Sequence, residues 1–397
     1  MDYHPMFEAI RAGTAVPVDF VTEILTGREK YVQEIENDIN YILTGKSKVR
    51  VFLGEYGLGK TTLARYAEYV SREKGMMISC LSEKDYDTLH KQDEFFRSIM
   101  KNMTMVGING NPLKIFLRAW AEKTLGELDE LRIPSDDVNS VREYLSTRDN
   151  YDPDGMFSHF CAAYVASAGQ GAPGEEFYAY LVGDSVDKRT MKKHGIYHFL
   201  QDDGWNFLKS FTSLMDTLQV PGLVIIMDEL ESTMNRRRDV RDRTFNQLRE
   251  IIDKMSAGFL QKTYFLWLGT DVWFENKHRG IASYHALYDR MKNISGDNSG
   301  KTIILNLEPL GKEDLRQLIR RLKTLYASCY SYTADSSFEE NTLQSLVKQY
   351  TGIDGKLRPS VREVAKLTVE FLDSLRQGKG QEGNGDADSV KAADQLW

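Results

Sequence analysis

The sequence predicts an α/β protein with a parallel sheet covered by helices on both faces, and three observations carry that prediction. A short apolar run, Val51-Phe52-Leu53, leads into Gly54-Glu55-Tyr56-Gly57-Leu58-Gly59-Lys60-Thr61, and a helical pattern of Leu63, Ala64, Ala67 and Val70 follows. A second run, Leu223-Val224-Ile225-Ile226-Met227, ends in Asp228-Glu229. A third, 264–268, ends at Gly269-Thr270-Asp271. Unalternating apolar runs describe strands buried on both faces, and strands that alternate with helices pair in parallel.

The first stretch fits G-x-x-x-x-G-K-[ST] between a strand and a helix, which narrows the class to a P-loop NTPase. Its glycines allow positive φ, so successive N–H groups of Gly54 to Thr62 can point at a β-phosphate, which the positive end of the next helix also faces. Lys60 is expected to reach the β- and γ-oxygens. Thr61 offers its hydroxyl to Mg²⁺, so ATP and Mg²⁺ are the expected cofactors.

The chain has 397 residues, enough for two to three average domains or one large α/β domain with appendages. Hydrophobic residues at 41% and charged residues at 27% describe an ordinary soluble protein. No apolar run approaches the ~18 residues of a membrane span, and Met1-Asp2-Tyr3-His4-Pro5 has no secretion pattern, so a cytoplasmic protein is expected. Cys80, Cys161 and Cys329 are far apart and expected to be reduced. His194 and His198 lack the carboxylate of a zinc helix, and Gly195 weakens any helix there. A formal charge of −7 argues against a globally basic nucleic-acid binder but leaves room for a local patch.

Taken in order, residues 1–26 read as a short helix (Phe7, Ile10, ending at Gly13) and a loop. Thr26-Gly27-Arg28-Glu29 reads as a capping box for a helix with Tyr31, Ile35, Ile39 and Ile42 on one face. The phosphate loop and its helix come next, then a strand at 76–80. Residues 87–220 read as a long helical insertion without a convincing strand, rich in aromatics that suit a core. After the run ending in Asp228-Glu229 comes a helix with Phe245, Leu248, Ile252 and Met255 on one face. A last strand is expected at 302–307. Beyond Pro309 the pattern is helical, so the sequence divides into a core of 1–311, a helical lid domain of 312–376 and a disordered tail of 377–397.

Hydrolysis needs a group to hold the metal and another to position water, and the strand-end pair supplies both types. Asp228 is expected at the metal and Glu229 at the attacking water, with Glu231 either behind them or merely exposed. Thr270 sits where a polar side chain can contact the γ-phosphate or the water. Arg290 could reach a nucleotide on a neighbouring subunit of a homo-oligomer, and either Arg358 or Arg362 could close over phosphates from the same chain. The cluster Arg236-Arg237-Arg238, with Arg241 and Arg243, either meets DNA phosphates or is a solvated helix start balanced by Asp239 and Asp242.

Together these segments resemble a known family. The succession of "LTGREKYVQEIENDINYILTGKSKVRVFLGEYGLGKTTLARYAE", "YLVGDSV", "HGIYHFL", "GLVIIMDELES", "NQLREIIDKMSAG", "YFLWLGTDVWFEN", "IASYHALYDRM" and "LRPSVREVAKL" is similar to the ATP-binding proteins of bacteriophage-exclusion (BREX) loci, of BrxD type. The resemblance spans about residues 5 to 376. It implies an AAA+-like ATPase with a helical lid, in which Gly27-Arg28 lies near adenine. It also implies a role in anti-phage defence with double-stranded DNA and other defence proteins, including a helicase. No separate winged-helix pattern follows the lid. Two readings follow: a DNA-stimulated ATPase, or a slow nucleotide switch that recruits partner proteins.

Overall fold

The computed structural model describes residues 1–148, 156–171, 175–196, 204–295, 303–350 and 360–382. Six strands form one sheet: β1 (Lys48–Leu53), β2 (Met77–Leu81), β3 (Met103–Thr104), β4 (Leu223–Met227), β5 (Thr263–Gly269) and β6 (Ile304–Asn306), in the order β3-β2-β4-β5-β1-β6. Strand β4 runs parallel to both β2 and β5, and β3 pairs antiparallel with β2. Every residue of β4 and β5 is buried, so successive side chains on both faces of these strands are covered. This is the mixed α/β, mostly parallel arrangement expected of a P-loop protein.

Helices α1 (His4–Arg11), α2 (Val21–Ile24) and α3 (Glu29–Leu43) precede β1, and α4 (Lys60–Glu73) follows the phosphate loop. Between β2 and β4 lie α5 (Gln92–Lys101), α6 (Leu113–Glu130), α7 (Val138–Ser146), α8 (Met156–Gly169), α9 (Glu175–Val182), α10 (Lys188–Lys193) and α11 (Gly204–Thr217). After β4 come α12 (Arg238–Ser256), α13 (Asp271–Glu275) and α14 (His285–Ser295), and after β6 come α15 (Lys312–Tyr330), α16 (Phe338–Tyr350) and α17 (Val361–Glu382).

The chain packs as two compact units. One gathers Met1–Ile35, Leu53–Tyr69 and Asn306–Trp397; the other holds Glu36–Phe52 and Val70–Leu305. In the first unit, Met6, Phe7 and Ile10 of α1 share one apolar core with Leu315, Leu318 and Leu322 of α15 and Val364, Val369 and Leu372 of α17. Arg11 reinforces this packing through two 2.8 Å hydrogen bonds to the Asp373 carboxylate. Burial alone would raise the pKa of Asp373, but hydrogen bonds from Arg11 and Tyr326 more than offset it and hold the carboxyl below its ordinary value.

In the second unit the insertion aromatics form a core, as expected. Phe160 packs 5.7 Å from Phe177 and 5.6 Å from Tyr180, and Phe157 lies 5.2 Å from Phe207. Beneath the sheet residues, Arg50 of β1 donates to both carboxylate oxygens of Asp38 of α3 at 2.6 and 2.7 Å, and the Tyr264 hydroxyl of β5 adds a 3.0 Å bond. All three side chains are fully buried, and burial pushes the Tyr264 hydroxyl pKa well up.

Four expectations change. The capping box does not form: α3 begins at Glu29, Gly27 takes a left-handed backbone at φ +63°, and the buried Thr26 hydroxyl has no hydrogen-bond partner among the described residues. The 87–220 segment is not wholly helical, because β3 adds two residues to the sheet edge, too few to show any alternation. Helix α17 continues through Glu382, past the expected start of the tail at 377. The last strand is shorter than expected, with Thr302 outside the described residues.

Asp38 anchors a buried cation, so Asp38→Ala should destabilise the protein by about 3–5 kcal/mol, because it removes the carboxylate that pairs with Arg50 in the core. The double change Asp38→Leu with Arg50→Met should recover most of that loss. Urea unfolding of the three proteins measures both.

Candidate functional site

The phosphate loop lies within the first unit. Gly57 and Gly59 both take left-handed backbone, φ +80° and +93°, which L side chains rarely adopt, and this turns the chain sharply before α4. A Cβ on Gly57 would also lie 2.1 Å from the Ser360 Cβ. Lys60 opens α4 and is buried, with its ammonium donating to the carbonyls of Gly54 at 2.7 Å and Glu55 at 3.0 Å. Thr61 and Thr62 follow in the first helical turn and are half-buried, while Glu55 and Tyr56 are exposed at the loop tip.

Two contacts hold this loop. The Arg28 guanidinium, only 5% exposed, donates to the Leu58 carbonyl and the Glu308 carbonyl, each at 2.8 Å. Burial lowers the Arg28 pKa from its ordinary value, opposed by the neighbouring Tyr31 hydroxyl and by Asp314, Glu29 and Glu308. Gly27 presses on the first turn of α15, where a Cβ would come 2.4 Å from the Asp314 carboxyl carbon. The Gly-Arg pair, expected near adenine, therefore braces the loop in this structure.

The second contact comes from α17. The Val361 N–H donates to the Gly57 carbonyl at 2.9 Å, and Ser360 caps the helix by accepting the Glu363 N–H at 3.1 Å. Neither Ser360 nor Glu308 carries a signal in the sequence, because each acts through position rather than motif. Arg362 is exposed on the first turn of α17, and Arg358 lies outside the described residues.

The carboxylate pair lies within the second unit. Asp228 and Glu229 follow β4, and Glu229 takes a left-handed backbone at φ +58°, strain of the kind that collects at working sites. Its N–H donates to the Asp228 carboxylate at 2.8 Å, and its side chain is exposed. The buried Tyr86 hydroxyl donates to the Asp228 carbonyl at 2.5 Å and fixes the main chain there.

Register pairs Met227 with Trp267, so the chain leaves β4 at Asp228 and β5 at Gly269-Thr270 from adjacent parallel strands. Thr270 is buried and caps α13 by accepting the Trp273 N–H at 3.2 Å, and the Trp273 indole N–H donates to the Thr233 hydroxyl at 3.2 Å. Trp273, Thr233 and Tyr86 were not singled out from the sequence; they look like ordinary core residues there.

Arg290 and four of the clustered arginines have acidic partners in their own chain, whereas Arg241 is buried and donates to the Arg236 carbonyl at 3.4 Å. Arg290 donates to Asp253 at 2.7 Å. Arg236 pairs with Asp87, Arg237 with Asp239, Arg238 with Asp242 and Arg243 with Asp239, which is the balanced helix start.

Because Arg28 carries two charge-assisted bonds to loop carbonyls, Arg28→Ala should cost about 2 kcal/mol of stability and weaken ATP binding by about tenfold, with Arg28→Lys intermediate. Thermal unfolding and nucleotide titration of the variants check this.

Among curated proteins, none matches this chain. Among solved structures, it is similar to the ORC2 protein of Aeropyrum pernix in ADPNP–ADP complexes, at 12% identity and a TM-score of 0.41, covering 90% of this chain but only 64% of that one. It is also similar to a Walker-type ATPase of Pyrococcus abyssi, at 10% identity and a TM-score of 0.38, covering 90% and 75% of the two chains. A third likeness is to domain III of the replication initiation protein DnaA of Thermotoga maritima, at 10% identity and a TM-score of 0.33, covering 89% and 96%. The model of one protein family, described as BREX system ATP-binding protein BrxC/D, matches residues 2–388. With nearly its whole length matched, this chain belongs to the BREX system ATP-binding protein BrxC/D family.

Proposed function

We propose that this protein binds Mg²⁺·ATP on the phosphate loop and hydrolyses it with the Asp228-Glu229 pair, as the ATPase of a BREX-type anti-phage defence system. The observation that carries the reading is the loop itself: two left-handed glycines ahead of Lys60 and Thr61 at the start of α4, braced by Arg28. That backbone suits a cradle for phosphate oxygens.

In this reading the Lys60 ammonium exchanges its two carbonyl partners for the β- and γ-oxygens. The Thr61 hydroxyl and the Asp228 carboxylate are the oxygen donors that suit Mg²⁺. Bound Mg²⁺ neutralises charge on the β- and γ-phosphates. Glu229, exposed at the end of β4, orients the attacking water and accepts its proton. Thr270 can still donate its hydroxyl proton toward the γ-phosphate or the water, since its oxygen is used only as an acceptor in the cap contact. Either Arg358 or Arg362, the latter exposed on α17, is the lid cation, and Arg290 is the candidate for action on a neighbouring subunit once freed from Asp253.

Double-stranded DNA and other defence proteins, a helicase among them, are the proposed partners, on the strength of the family resemblance. The acid-balanced arginines of α12 favour a weak direct DNA contact, and so keep the partner-recruiting switch as the second reading.

ATP turnover with and without duplex DNA tests the proposal. Lys60→Ala should abolish nucleotide binding, whereas Glu229→Gln should keep binding and lose turnover by about a hundredfold or more. Wild-type turnover in Glu229→Gln would remove Glu229 from the mechanism. Stimulation by DNA selects the first reading, and slow turnover indifferent to DNA selects the switch.

A further inference from the structure

Outside the nucleotide site, one cluster joins residues distant in sequence and different in chemistry. Asp2 and His4 stand at the start of α1, and Cys329 stands in the last turn of α15, 325 residues beyond His4. The His4 Nδ1 lies 2.7 Å from an Asp2 carboxylate oxygen and 3.4 Å from the Cys329 sulfur. All three donor atoms fall within 4.8 Å of one another, and this is the one such group among the described residues.

The two helices that present these donors are held by packing independent of the cluster. Phe7 of α1 meets Tyr326 and Tyr330 of α15 at 5.4 and 5.6 Å, and the His4 ring packs edge-on against Tyr330 at 5.0 Å. The positions of the imidazole and the thiol are thus fixed by the core beneath them. Imidazole, thiolate and carboxylate are the ligand types that Zn²⁺ takes. At zinc bond lengths of about 2.0 Å to nitrogen and about 2.3 Å to sulfur, the N···S edge of a tetrahedron is about 3.5 Å, close to the separation found. The N···O edge is about 3.4 Å, so the carboxylate must withdraw by about 0.7 Å. Asp2 is 73% exposed and can make that movement.

We propose that Asp2, His4 and Cys329 form a three-ligand site for Zn²⁺ or a similar borderline-soft divalent cation, which staples α1 to the end of α15. The thiol proton leaves as Cys329 coordinates, the proton of neutral His4 moves to Nε2 so that Nδ1 can bind, and water fills the fourth position. The site is separate from the Mg²⁺·ATP chemistry and does not depend on it.

The test uses the full chain, free of any polyhistidine tag and with thiols reduced, titrated with Zn²⁺ against a chromogenic chelator and with Co²⁺ by absorbance. One Zn²⁺ per chain should bind and raise the melting temperature, and the Co²⁺ form should show a thiolate-to-metal charge-transfer band. Cys329→Ser should abolish the band, and the double variant Asp2→Ala/His4→Ala should weaken Zn²⁺ binding by at least about tenfold. Cys80→Ser and Lys60→Ala should leave both readouts unchanged, which separates this site from the nucleotide site. These changes lie outside the buried core at Asp2, His4 and Cys329, and circular dichroism confirms that each variant folds. Absence of stoichiometric binding, or a charge-transfer band that survives Cys329→Ser, would overturn the proposal.

Discussion

The Arg28 guanidinium bonds two main-chain carbonyls, one at Leu58 in the phosphate loop and one at Glu308 after β6. A loop with two left-handed glycines has a high conformational entropy to lose, and within the loop the Lys60 ammonium ties down the carbonyls of Gly54 and Glu55. A buried, permanently charged fork with two fixed acceptors supplies a restraint from outside the loop. Its cost is desolvation, which is why its burial lowers its pKa. The bond from Val361 to the Gly57 carbonyl adds a second restraint, from a helix that begins about 300 residues later in the chain. The start of α17 is therefore tied directly to the phosphate loop through one loop carbonyl.

The carboxylate end follows a different logic. Strand β4 has no polar side chain and is buried throughout, and its two carboxylates come only where the ladder ends. Glu229 is held in a strained backbone there, with Tyr86 fixing the preceding carbonyl and Thr270, Trp273 and Thr233 linked by hydrogen bonds at the adjacent strand end. The strain is sustained by packing around it, and the Glu229 carboxylate itself is exposed.

Much of this was legible in the sequence because it is local. The phosphate loop, the apolar strand before Asp228-Glu229 and the strand before Thr270 each declare themselves within ten residues, and each is found where expected. What was not legible depends on distant partners. Thr26 has the spacing of a cap, but Arg28 is drawn to Leu58 and Glu308, so the helix starts at Glu29 without it. The short β3 exists only because Ile78 and Ser79 pair with it. That α1 shares its core with α15 and α17 cannot be read from an eight-residue amphipathic helix, which announces a buried face but not its partner.

In the function proposed above, the phosphate loop binds the nucleotide and the Asp228-Glu229 pair hydrolyses it. Amide hydrogen exchange, followed by mass spectrometry with and without a non-hydrolysable Mg²⁺·ATP analogue, tests it most directly. The account predicts new protection in peptides covering 54–62 and 228–229, while β5 remains unchanged because it is already buried. Protection confined to the loop, or falling wholly outside both segments, would contradict it.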